Sequence, residues 1–270
     1  MLLSYWKNTG DATRVLTAAA VTAVVLTLAP DSEHDTEEGR GADMSSYSVV
    51  CFDLFDTIVT FDTDRYNEFR RQRLNSLAID SNAFIAAWTA TQADAMNGLY
   101  ARMDERCETV LQAIVPDGDF QELLTHVVSA ERAALRHAAR PVEGMKGLLI
   151  ELLTRKKRLG LISNCSCSGP VLLETLGWQH YFDEQVYSYI EKIHKPNPDI
   201  YLLACDRLHV SPDMAAFVSD GDRYELTGAS DAGLDPVRFD PSSAYFGHPL
   251  PPGCYDCGKD ISKLRRVLLT

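Results

Sequence analysis

With 270 residues, 46% of them hydrophobic and 24% charged, the chain has an ordinary globular composition and enough length for one core with an inserted subdomain. Its net charge of -12, from 38 acidic against 26 basic side chains, leaves no broad basic field to replace phosphate counterions, which argues against nucleic acid as a partner. A small phosphorylated ligand stays open, because that needs only a metal ion and one or two local cations.

Residues 1–46 differ from the rest. The apolar run at 15–30 is short for a membrane span, which takes about 20 residues, and it has the length of the apolar core of a secretion signal without a small-residue cleavage site after it. Residues 31–46 are polar and acidic and read as a flexible linker. Folded sequence is therefore expected to begin near Met44. The stretch before it reads as an extension, a weak anchor or an over-long start, with no firm membrane association. The seven cysteines are odd in number and several sit in apolar runs, which suits reduced thiols in a cytoplasmic protein. Cys254 and Cys257 form a lone C-x-x-C that reads as two thiols in a turn and a final strand.

Residues 47–52 are a continuous apolar run ending at Asp53, the pattern of a strand buried on both faces. Residues 64–140 hold no comparable run. Apolar residues there recur at helical spacing, as in Phe84, Trp88 and Ala95, or Leu123, Leu124, Val127 and Val128, which predicts an all-helical insert. Pro141 and Gly144 punctuate its end. Helix and strand then alternate: helix 145–157, strand 159–162, helix 170–176, a weak strand 185–188, helix 198–208, strand 216–219, helix 226–232 and strand 236–239. The expected fold is α/β, a doubly wound parallel sheet formed by residues 47–63 and 141–270, with 64–140 as a helical subdomain. Ligands of such sheets bind beyond the carboxyl ends of the strands. Three of the predicted strands end on polar residues, Asp53, Ser163 and Asp220.

These residues suggest a chemistry. Carboxylates converging from two strand ends, Asp53 from one and Asp220 with Glu225 from another, repel one another unless a cation lies between them. Oxygen-only ligands suit Mg²⁺. Lys195, just before a proline-started helix, can neutralise an attacking carboxylate and the anionic group it attacks. Ser163 and Asn164 can hydrogen-bond a phosphoryl oxygen through hydroxyl and backbone N–H.

Four runs carry a family resemblance: FDLFDTIV (52–59), LISNCS (161–166), KPNPDIYLLACDRLHVSP (195–212) and FVSDGDRYELTGASDAG (217–233). In this order they resemble the four motifs of the haloacid dehalogenase superfamily, across residues 47–270, with the insert where that family places a helical cap. The resemblance implies that Asp53 is the nucleophile, forming an aspartyl-phosphate or aspartyl-ester intermediate. It implies that Thr57 and Ser163 orient phosphate, that Lys195 stabilises charge, and that Asp53, Asp220, Glu225 and the backbone carbonyl of Phe55 hold Mg²⁺. One position departs from the phosphatase pattern. Where those enzymes carry a second aspartate as general acid and base, this chain has Phe55, and an acid follows at Asp56, which either substitutes in catalysis or replaces a turn glycine.

The reading that follows is a Mg²⁺-dependent phosphatase acting on a small phosphorylated metabolite. The alternatives are a 2-haloacid dehalogenase or phosphonate hydrolase using the same nucleophile, and a catalytically weak binding or regulatory module. The acidic run at 219–225 favours a metal site and hence the phosphatase. In the insert, Arg65, Arg70, Arg71, Arg73, Arg102 and Arg106 are candidate anion contacts but read more readily as solvated helix residues, so none is assigned to binding. Tyr66, Trp88 and Tyr100 could line an aromatic pocket, but their helical spacing favours packing. Oligomeric state is not legible in the sequence.

Overall fold

The computed structural model describes residues 47–115, 120–242 and 247–269, so the apolar run and acidic stretch of residues 1–46 lie outside the described residues. The elements begin with β1 (Val49–Phe52), β2 (Val59–Phe61), α1 (Thr63–Ser76), α2 (Ser81–Ala90), α3 (Gln92–Met96), α4 (Met103–Ile114), α5 (Gln121–Ala138) and β3 (Ala139–Pro141). They continue with α6 (Met145–Thr154), β4 (Arg158–Ser163), α7 (Ser168–Thr175), β5 (Glu184–Tyr187), α8 (Ser188–Glu191) and α9 (Pro198–Arg207). The last are β6 (Ala215–Ser219), α10 (Glu225–Asp231), β7 (Asp235–Arg238), β8 (Tyr255–Asp256) and α11 (Ile261–Leu269).

Six strands form one parallel sheet in the order β5-β4-β1-β6-β7-β8. Every residue of β1 is buried. Alternate side chains of a strand face opposite sides, so Val49 and Cys51 join the core made with Ile162, Val186, Tyr201, Phe217 and Leu226. Val50 and Phe52, equally buried, face the other side. A central strand with no exposed face is what a doubly wound sheet requires.

Local chemistry explains where helices begin. The Asp62 side chain accepts from the Arg65 amide at the start of α1, and Asp80 accepts from the Asn82 and Ala83 amides at the start of α2. At α9, Asn197 accepts from the Asp199 amide and Pro198 takes the first helical position, where its missing N–H costs nothing.

Two features were not anticipated from the sequence, a small ribbon and a last helix. Ala139 and Arg140, expected at the end of the helical insert, instead join Pro141 in β3, antiparallel to β2. The predicted final strand is the two-residue β8 between Cys254 and Cys257, and it is followed by α11, which buries Leu264 and Leu268. Strands of three residues are too short to show a period of two, which is why β2 and β3 escape a pattern reading. All seven cysteines are free thiols, six buried and Cys254 half-buried. Among the described residues no helix is long and apolar enough to cross a membrane.

One close approach positions the loop after β5. A Cβ added at Gly228 of α10 would stand 2.1 Å from the Pro196 carbonyl oxygen, so glycine alone lets the helix pass against the segment that carries Lys195. Gly228→Ala should destabilise the protein by about 1–3 kcal/mol, the range for overpacking a tight contact. Urea denaturation followed by circular dichroism measures this, and an unchanged midpoint would mean that the loop yields freely.

Candidate active site

The chain runs from β1 outward to β4 and β5, then returns to the other side of β1 for β6, β7 and β8. The strand order therefore reverses beside β1, and the crevice of such a sheet opens there. Asp53 follows β1, Ser163 ends β4 and Asp220 follows β6, so all three predicted strand-end residues meet at this point.

The turn after β1 is built for that meeting. The Asp53 amide donates to the Val218 carbonyl at 2.9 Å, tying the residue to β6. The Ile58 and Val59 amides both donate to the Leu54 carbonyl, and the Asp56 amide donates to the Val59 carbonyl at 2.8 Å. Asp56 lies in the left-handed region at φ 56°, the backbone geometry of a turn residue that glycine would take most easily. The fold-back carries Thr57 beneath Asp53. Its hydroxyl donates to Asp53 Oδ2 at 3.5 Å and accepts from the Asp220 amide at 3.0 Å. Thr57 thus joins the ends of β1 and β6. Phe55 is half-buried, with its ring 6.1 Å edge-on from that of Phe61.

Lys195 sits at the centre. Its ammonium lies 2.5 Å from Asp53 Oδ1 and 2.5 Å from Glu225 Oε2, and 5.1 Å over the Phe217 ring. The backbone of Lys195 is held from both sides by one side chain: Asn164 Nδ2 donates to its carbonyl, and its amide donates to Asn164 Oδ1, each at 2.9 Å. Both ends of that carboxamide are thereby committed to the lysine. The Tyr201 hydroxyl of α9 donates to the Glu225 carbonyl at 2.6 Å, tying α9 to the start of α10. Ser163 Oγ is fully buried without a hydrogen-bond partner of good geometry, its polar neighbour being the Cys165 thiol.

Electrostatics follow from the count of charges. Asp53, Asp220, Glu225 and Lys195 are all buried, three carboxylates about one ammonium. Burial pushes Asp53 up to about 7; Lys195 pulls it down and Glu225 pushes it up again. Asp220 has no lysine of its own. Burial, then repulsion from Glu225 and Asp53, pushes it up to about 10, and it shares a hydrogen bond with Glu225. Lys195 is held charged against its own desolvation by the two carboxylates beside it. A divalent cation would remove the imbalance, and the donors at hand are all hard oxygens. Among the described residues no three His, Cys, Asp or Glu side chains stand at metal-ligand spacing. Mg²⁺ does not need three, since it keeps several waters and binds through one or two carboxylates plus substrate. The residues fit that ion.

Of the residues proposed for chemistry, Asp53, Thr57, Lys195, Asp220 and Glu225 meet in this constellation, Phe55 and Asp56 lie in the turn that frames it, and Ser163 and Asn164 lie at the end of the neighbouring β4. Pattern reading missed the work of Asn164, whose side chain positions the lysine, and of Tyr201. It also missed the contacts between the insert and the loop leading to Lys195. There Lys192 Nζ donates to the Asn97 and Gly98 carbonyls at 2.8 and 2.6 Å, and the Tyr189 hydroxyl donates to the Ala101 carbonyl. Lys192, three positions before Lys195, was the available signal, but spacing alone does not reveal a partner nearly a hundred residues away.

Residues 47–233 match the family of haloacid dehalogenase-like hydrolases. Glyceraldehyde 3-phosphate phosphatase of Methanothermobacter thermautotrophicus is 27% identical over 202 residues, 70% of this chain and 84% of that protein. Fructose-1-phosphate phosphatase YqaB of Escherichia coli is 39% identical over 72 residues, a match spanning 27% of this chain and only 38% of the relative. Among solved structures, a 2-haloacid dehalogenase from Pseudomonas syringae pv. tomato superposes with a TM-score of 0.62 at 21% identity, covering 82% of this chain and 98% of that one.

The raised carboxyl groups carry a consequence for stability. A carboxyl whose folded-state pKa exceeds its unfolded value binds its proton more tightly when folded, so stability is greatest below the unfolded pKa and is lost as pH rises toward the folded one. For Asp220 that window runs from the ordinary carboxylate range up to about 10. In EDTA the melting temperature should fall between pH 6 and pH 9, on the order of 5 °C. Mg²⁺ should restore more of it at pH 9 than at pH 6. A melting temperature flat with pH in EDTA would mean that these carboxyls are not crowded in solution.

Proposed function

The chain belongs to the haloacid dehalogenase-like hydrolases, and from that premise we propose that it is a Mg²⁺-dependent phosphatase acting on a small phosphorylated metabolite. The observation that carries the reading is the buried cluster of Asp53, Asp220 and Glu225 around the single ammonium of Lys195. It lacks positive charge, and it lies where the chemistry of such a sheet is done. The phosphatase names of two relatives support the same reaction class.

An Asp53 carboxylate oxygen attacks phosphorus, the bond to the ester oxygen breaks, and an aspartyl-phosphate forms. Water then attacks that phosphorus, releasing inorganic phosphate and restoring the carboxylate. Lys195 offsets part of the effect of burial, which favours the protonated form of Asp53, and it faces the negative charge gathering on the phosphoryl oxygens. Thr57 fixes the second oxygen of Asp53. The unpartnered hydroxyl of Ser163 is suited to donate to a phosphoryl oxygen. Asp53, Asp220, Glu225 and the Phe55 carbonyl would hold Mg²⁺, with Glu225 shared between that ion and Lys195. When bound, the ion offsets the charge on the phosphoryl group and on the carboxylates around it. The helical insert closes over the site and excludes bulk water before transfer.

The leaving oxygen must take up a proton, and Phe55 cannot supply one. Asp56 is the nearest acid in sequence, but the turn geometry described above accounts for it without catalysis. Substrates with good leaving groups are therefore expected to turn over best. This same residue favours a second reading, displacement of halide from a 2-haloacid by Asp53, in which no leaving-group proton is needed.

Phosphate release from a panel of phosphomonoesters, with Mg²⁺ and with EDTA, tests the proposal. Release that requires Mg²⁺ is expected. Its absence for every ester, with halide released from 2-chloropropionate, would transfer the case to the second reading. Asp53→Asn should lower kcat by at least about 10³-fold while leaving the fold intact, as loss of a nucleophile does. Phe55→Asp restores an acid where general acid catalysis is typically worth about 10²–10⁴-fold, so even partial alignment should raise kcat on esters with poor leaving groups. An unchanged kcat would show that proton supply does not limit the enzyme.

A further inference from the structure

For Arg70 and Arg106, candidate anion contacts, a solvated place on a helix is the readier expectation; both are instead buried, at 2% and 0% exposure. Among the described residues, Glu131 of α5 is the only carboxylate buried in the helical insert. The interior of the insert thus holds two guanidinium groups against one carboxylate. Glu131 is already engaged, since its Oε2 accepts from the Tyr66 hydroxyl at 2.5 Å and lies 3.6 Å from Arg70 Nη1. Arg106 makes only neutral hydrogen bonds: Nε to Thr91 Oγ1 at 3.0 Å, and Nη2 to the Trp88 carbonyl and Gln92 Oε1 at 2.8 Å each.

Three donors are left buried without a partner: Arg106 Nη1, Arg70 Nε and Trp88 Nε1. The unpartnered acceptor Glu131 Oε1 reaches none of them. The Arg106 guanidinium lies 3.9 Å over the Trp88 ring, which offsets part of its desolvation but does not neutralise it. A buried cation with an idle N–H is costly to keep unless something meets it.

The cluster borders the candidate active site. Arg106 stands close enough to Cys167 for the two to influence each other electrostatically, and Cys167 follows the Ser163–Asn164 strand end. From the nucleophile's side, the Phe61 ring touches both Phe55, at 6.1 Å, and Tyr66, at 5.5 Å. Tyr66 in turn lies under the Arg70 guanidinium, which stands 4.6 Å from the centre of its ring, so packed side chains run from the turn after Asp53 to this cluster.

We propose that Arg106, which shares the Trp88 ring with Arg70, binds a carboxylate carried on the leaving group of the substrate. The planar fork of arginine suits a carboxylate, and one negative charge closes the insert's balance where a phosphate dianion would overshoot it. The term leaving group rests on the phosphatase reading above; the carboxylate site itself does not.

The test uses the full chain and two matched esters, 3-phosphoglycerate and glycerol 3-phosphate, which differ by a carboxylate against a hydroxymethyl group. The ratio of their kcat/KM values should favour 3-phosphoglycerate by at least about tenfold, and Arg106→Gln should bring it toward one. Calorimetric titration with D-glycerate, and with glycerol as control, reads the site without turnover. Glycerate binding that Arg106→Gln abolishes, in a protein that releases no phosphate, would sink the phosphatase reading and uphold the site. Phosphate release at equal rates from both esters, with no glycerate binding, overturns the site and leaves the phosphatase standing. Should Arg106→Gln fail to fold, Glu131→Gln decides. Removing the internal counter-charge should tighten glycerate binding if the insert reads an anion, whereas equal or weaker binding overturns the proposal.

Discussion

One buried ammonium holds this structure's chemistry together. Lys195 is the only cation among three buried carboxylates, and the surrounding architecture serves to keep it there. Asn164 grips its backbone, and Asn197 and Pro198 start a helix directly after it. Gly228 leaves room for the adjoining Pro196 carbonyl, and Tyr201 ties the helix that follows to the base of Glu225. Taking several charges out of water is expensive, and attraction repays that only when geometry is good and remaining polar atoms are matched. The crowding of supports around a single side chain is what that constraint looks like in a fold.

The two parts of the folded unit are unbalanced in opposite senses. The sheet end has more negative charge than it can neutralise, and the interior of the helical insert has more positive charge than it can neutralise. Neither imbalance would survive as a mere packing choice, because apolar residues of similar volume would fill either space at lower cost. Opposite deficits in neighbouring parts of one fold are the kind that a bound ion at one and an anionic ligand at the other would remove.

Much of the sheet and of its site is legible in the sequence. Asp53 and Asp220 announce themselves because a carboxylate directly after a fully apolar strand has few structural reasons to be there, and β1 and β6 are long enough apolar runs to be read as buried. Lys195 is visible by its place before a proline-started helix. What stays hidden depends on contacts between distant segments. Periodicity assigns Arg70 and Arg106 to helices but not to a face, since an arginine is counted as polar wherever it falls. The side chain of Asn164 points to a partner 31 residues away, and nothing in its neighbours signals this. The β2–β3 pair is three residues on each side, below the length at which alternation can be recognised.

That small ribbon matters beyond its size. The chain leaves the sheet domain through β2 and returns through β3, side by side, so the helices between them are joined to it covalently by a two-stranded stem and rest on it through contacts such as Lys192 with Asn97 and Arg132 with Glu174. The residues assigned to bond making stay on segments anchored in the sheet, and the side chains that would greet the rest of a substrate belong to the inserted helices. Such a division allows heritable change in what is recognised without disturbing how it is cleaved. Substrate range can drift under selection through residues 63–138 while the reaction itself is inherited unchanged.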